Sequence, residues 1–198
     1  MTIVILIAMV IGAIFGRFVF PDTIISNIDT IANIALYVLI FLVGIDVGSN
    51  KEILNDIKKT GLKVLLIPFG IIVGTLIGGL IGGLIFGMHY NESTAVVSGF
   101  GWYSLSAIML TDMAGAQLGA TAFLSNVFRE IISIVSIPII AKKLNYYTAI
   151  APCGATSMDT TLPIVAKATS PEFAIISFIN GVILSSLVPV FVTFLYNL

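Results

Sequence analysis

The chain has 198 residues, of which 58% are hydrophobic and only 10% charged, with a mean hydropathy of +1.13 and a formal net charge of −1. Soluble domains carry about 25% charged residues, so this composition excludes a water-soluble enzyme or binding domain and points to an all-α, polytopic membrane helix bundle. The absence of a basic block argues against nucleic acid, and Cys153, the only cysteine, cannot form an internal disulfide.

At about 20 apolar residues per crossing, the length suits one transmembrane domain over residues 1–198, of roughly five to seven spans. Residues 2–15 are apolar but lack a basic flank and a small-residue cleavage motif, so they read as part of a first span, about 3–20, with Arg17 near its end. A second span, about 28–47, carries Asp46. Lys51, Lys58, Lys59 and Lys63 then form the densest cation cluster. By the positive-inside rule this connection is cytoplasmic, which puts the N-terminus inside. The third span, about 64–87, is uncharged and has glycine at Gly70, Gly74, Gly78 and Gly82, a spacing that puts a bare stripe on one helix face for another helix to approach.

Beyond Ser93 the pattern changes. Ser98-Gly99-Phe100-Gly101-Trp102-Tyr103-Ser104-Leu105-Ser106 puts glycines, hydroxyls and two large aromatics where a plain span would be aliphatic, and predicts a broken segment over about 94–112. A long span, about 117–141, follows, with Asn126, Arg129 and Glu130 inside it and Lys142-Lys143 at its end. A second polar, breaker-bounded stretch, Cys153-Gly154-Ala155-Thr156-Ser157-Met158-Asp159-Thr160-Thr161-Leu162-Pro163, predicts another broken segment over about 149–166 before the last span, about 173–196.

The two broken segments align. Gly101-x-x-Ser104-Leu105-Ser106 lies over Gly154-x-x-Ser157-Met158-Asp159, 53 residues on, and Asn126 and Asn180 sit at nearly the same offset in the spans that follow. Paired interruptions in matching places are the mark of an inverted-repeat transporter with its site between them. If both segments are re-entrant, Lys142-Lys143 falls on the cytoplasmic side, as its charge requires, and the C-terminus lies outside. Seven full crossings would keep the same termini.

A carboxylate in mid-membrane costs several kcal/mol unless it meets a partner, a cavity or a proton, so Glu130 and Asp159 are the expected substrate and ion ligands. Consecutive helical residues diverge by about 100°, so Arg129 is expected to answer a different acid, Asp159. Gly154, Thr156 and Ser157 are expected to let backbone approach a ligand carboxylate, with Trp102, Tyr103 and Ser104 as walls from the other segment and Asn126 alongside. One histidine and one cysteine give no metal set. No enzyme motif survives, since Asp46 and Asp159 lack the context of an intramembrane aspartyl protease.

Taken together, the Ser98–Ser106 motif, Arg129-Glu130, Cys153–Asp159 and Leu162-Pro163 resemble the prokaryotic L-lysine exporter family, LysO, along essentially the whole chain. The resemblance implies an inner-membrane exporter of L-lysine, without a cofactor and driven by proton or sodium antiport, whose intramembrane acids match Glu130 and Asp159. It also implies that full-length members have further N-terminal spans, so this chain is expected to work as a homo-oligomer or with a short companion membrane protein. A non-transporting subunit, or a carrier of another amino acid or a diamine, stays open.

Overall fold

The computed structural model describes residues 62–198 continuously, with the helical positions Ile7, Ile11, Gly12, Ile14, Phe15, Gly16, Ile34, Val38 and Phe41 before them. The rest of the spans expected at 3–20 and 28–47, with Arg17 and Asp46, and the lysine-bearing connection over 50–60 lie outside the described residues. The chain forms two compact units, Met1–Leu39 and Ile40–Leu198, and the continuously described helices all belong to the second.

Among the described residues all regular structure is helical, as the composition predicts. Among the described residues three helices are long and apolar enough to cross a membrane: Leu66–Phe86, Ala116–Lys143 and Glu172–Tyr196. Helix α1 (Leu66–Phe86) follows a short 3-10 turn, Leu62–Leu65, and stops at Gly87, whose φ of 69° is the left-handed cap that glycine adopts without strain. Helix α2 (Tyr90–Val97) then runs back along α1, with Ser93 against Gly83 and Val97 against Gly79, too close for a Cβ on either glycine. Gly79 and Gly83 make this close approach, whereas Gly70, Gly74, Gly78 and Gly82, the stripe read from the sequence, have nothing among the described residues within 4 Å of a Cβ.

The first break falls at Phe100 (φ 48°) and Gly101 (φ 100°). Helix α3 (Tyr103–Ala114) returns from it and, through the tight turn at Gly115, packs antiparallel on helix α4 (Ala116–Lys143), where Gly119 abuts Ala107 and Thr111. At 28 residues α4 is about 42 Å long, more than a full crossing.

The second half repeats the plan. Helix α5 (Tyr146–Ile150) is capped by Asn145, whose side chain accepts the Thr148 N–H at 2.8 Å, and leads into a break with Gly154 at φ 62°. A 3-10 turn (Gly154–Met158), helix α6 (Leu162–Ala168) and helix α7 (Pro171–Tyr196) complete the chain. Proline at the start of both α6 and α7 suits a first turn whose N–H groups have no helical partner. The broken units thus cover 90–114 and 146–168, a few residues wider at each end than the sequence predicts. Ile137, Ile150, Cys153, Val165, Ile176 and Ile179 form the apolar core that ties α4 to α7 through the second unit.

The tips of the two units touch. Ala155 N–H donates to the Phe100 carbonyl at 2.7 Å, and a Cβ on Gly154 would coincide with that carbonyl. A left-handed non-glycine residue costs about 1–2 kcal/mol before any clash. Gly154→Ala is therefore expected to lower the melting temperature of the detergent-solubilised protein, or its folded yield, while Gly78→Ala leaves both unchanged; equal behaviour of the two variants would contradict this packing.

Candidate functional site

Each break is held by an asparagine of the long helix that follows it. Asn126, on α4, accepts the Gly101 N–H at 2.7 Å and donates to the carbonyls of Val96 (3.1 Å) and Ala122 (2.9 Å). Asn180, on α7, donates to the Gly154 carbonyl at 3.2 Å and the Ser157 hydroxyl at 2.9 Å. An unwound segment inside a bilayer has backbone groups that no lipid can satisfy, and a side-chain amide answers a donor and an acceptor at once. Asn126 therefore acts as a clamp, with its amide engaged by protein.

Arg129 departs from expectation. Its Nε donates to the Pro152 carbonyl at 3.1 Å and its Nη1 to the Thr75 hydroxyl at 3.1 Å, so it reaches the turn after α5 and the middle of α1 instead of Asp159. Ser133 donates to the same Pro152 carbonyl at 2.7 Å. The carbonyl end of a half-helix carries partial negative charge, which a guanidinium in low dielectric satisfies. Arg129 thereby ties α1, α4 and the second break together.

The hydroxyls of the second break also turn inward. Thr156 donates to the Cys153 carbonyl (2.8 Å), Ser157 to the Gly154 carbonyl (2.7 Å) and Thr161 to the Thr156 carbonyl (2.9 Å). The close neighbour of Gly154 is Phe100, so the approach expected for a ligand is made here by the other tip. Tyr103 is buried edge-on against Phe123 at 5.5 Å, which places it in the α3–α4 packing, while Trp102 and Ser104 are partly buried at the start of α3.

Two acids remain. Glu130 is only 5% exposed, and its Oε2 has no hydrogen-bond partner among the described residues. Asp159 lies within electrostatic reach of it. Asp159, just past the 3-10 turn, is exposed, and its Oδ1 accepts both the Thr160 N–H and the Thr160 hydroxyl, the latter at 3.3 Å. A buried carboxylate with an unanswered oxygen beside a second acid demands a proton or a cation.

The family model for the lysine exporter LysO matches residues 6–196. The chain belongs to the LysO family. The lysine exporter LysO of Escherichia coli K12 is 40% identical over 161 residues, 80% of this chain and 52% of that protein. A putative lysine exporter of Haemophilus influenzae is 35% identical over 162 residues, 80% of each chain. This LysO-family chain therefore spans about half the length of its E. coli relative. No solved structure matches it.

Within this LysO-family fold Thr75, Ser133 and Thr160 join the site without standing out in the sequence, because a lone hydroxyl in an apolar helix ordinarily bonds its own backbone. Asn180 stands out there only as a mark of the repeat. Removing the Asn126 clamp strands the Gly101 N–H and the Val96 carbonyl, at about 1–3 kcal/mol for each group. Asn126→Ala should thus lower the thermal stability of the purified protein markedly; an unchanged melting temperature would show that the first break does not depend on this amide.

Proposed function

We propose that the protein is a secondary active exporter of L-lysine in the prokaryotic inner membrane, with a cytoplasmic N-terminus and an external C-terminus. The observation that carries this reading is the buried carboxylate of Glu130, whose Oε2 has no hydrogen-bond partner among the described residues, next along α4 to the Arg129 that binds the second break. The names of its relatives supply lysine as the cation. Glu130 and Asp159 hold the substrate ammonium and exchange it for a coupling proton or sodium ion. An empty site with two bare carboxylates is too costly to reorient in low dielectric, so return requires the coupling cation, and this makes export an antiport.

Further helices from a short companion membrane protein, or from a second copy of this chain, would complete the wall around a site that three long described helices enclose thinly.

Glu130→Gln keeps the shape and removes the charge. It should abolish lysine efflux from loaded proteoliposomes while membrane insertion and folded yield persist. Efflux at the wild-type rate in that variant would reject the mechanism.

A further inference from the structure

We propose that the free edge of the Arg129 guanidinium binds the α-carboxylate of the exported amino acid, at the point where the two broken segments meet. This assignment rests on the exporter reading and adds to it the group that takes the other end of the substrate.

A guanidinium carries five N–H donors in a planar fork. Among the described residues two of them are engaged, Nε by the Pro152 carbonyl and Nη1 by the Thr75 hydroxyl. Both acceptors are neutral, so the positive charge is oriented but meets no counter-charge in the bonds that hold it. Nη2 makes no bond among the described residues, and the side chain is partly exposed, so the fork is fixed with one edge open. A carboxylate fits such an edge with two parallel N–H···O bonds, and a charge at membrane depth is costly until it is matched.

The position suits a substrate group. Arg129 lies against both tips, since a Cβ on Gly154 would come 3.2 Å from its Nε and one on Gly101 3.9 Å from its Cδ. Among the described residues no other Lys or Arg stands inside a crossing helix, because Lys142 and Lys143 form the last turn of α4. Other donors of the second break are already used: the Ala155 N–H by the Phe100 carbonyl, the Thr156 hydroxyl by Cys153 and the Ser157 hydroxyl by Gly154. Glu130 follows Arg129 directly, and consecutive helical residues diverge by about 100°. The two therefore suit opposite ends of one molecule, its carboxylate on Arg129 and its side-chain ammonium on Glu130.

Lysinamide, which keeps both amino groups of lysine and replaces the carboxylate by an uncharged amide, separates this role from a structural one. Purified wild-type protein should bind lysinamide about tenfold or more weakly than lysine. Arg129→Gln should bring the two ligands to within about twofold of each other, and Arg129→Lys, which keeps the charge and loses the fork, should give an intermediate ratio. A merely structural loss would weaken both ligands alike and leave the ratio unchanged. Where the variants fold poorly, the wild-type protein supplies the same test: lysine, but not lysinamide, should protect Arg129 from modification by phenylglyoxal, read by peptide mass spectrometry. Equal binding of the two ligands by the wild type, a wild-type ratio in Arg129→Gln, or equal protection by both ligands would overturn the proposal. Binding of neither ligand by the wild type would instead reject the exporter reading on which it rests.

Discussion

The described residues depend on two interrupted helices meeting backbone to backbone. The Phe100 carbonyl accepts the Ala155 N–H and lies where a side chain on Gly154 would be. Such a contact satisfies one unwound segment with the other, in a solvent that satisfies neither. It also fixes where charge can be tolerated. The half-helix ends that converge here expose carbonyls, answered by Arg129 and Ser133, and create the polar ground on which Glu130 is buried.

The two halves share a frame and differ in chemistry. Asn126 and Asn180, in successive long helices, each reach back to their own break, Asn126 accepting and donating and Asn180 donating alone. One helical turn beyond Asn126 stands Glu130, and one turn beyond Asn180 stands Leu184, fully buried among apolar groups. The first unit contributes helix, clamp and acid; the second contributes the hydroxyl-rich turn with Asp159 and Thr160.

Much of this is legible in the sequence because the bilayer makes polar residues conspicuous. Glycine and hydroxyl clusters in apolar runs mark both breaks, the Asn126–Asn180 offset marks the repeat, and the cost of a mid-helix carboxylate marks Glu130. What the sequence hides has a common cause. Backbone carbonyls carry no residue signature, so composition directs Arg129 toward an acid, whereas its partner is the Pro152 carbonyl. Likewise, glycine spacing shows that a helix has a bare face without showing which neighbour uses it, and α2 uses Gly79 and Gly83. Thr160 cannot be told from Thr156 and Thr161 until the turn gives each hydroxyl its direction.

The central claim is that Glu130 provides the charge that recognises the substrate cation, and equilibrium binding tests it without any need for transport. Radiolabelled L-lysine should bind the purified wild-type protein, norleucine, which has the same carbon chain without the side-chain ammonium, should fail to compete, and Glu130→Gln should bind no lysine. Equal lysine binding by wild type and Glu130→Gln, or displacement of lysine by norleucine, would contradict the account.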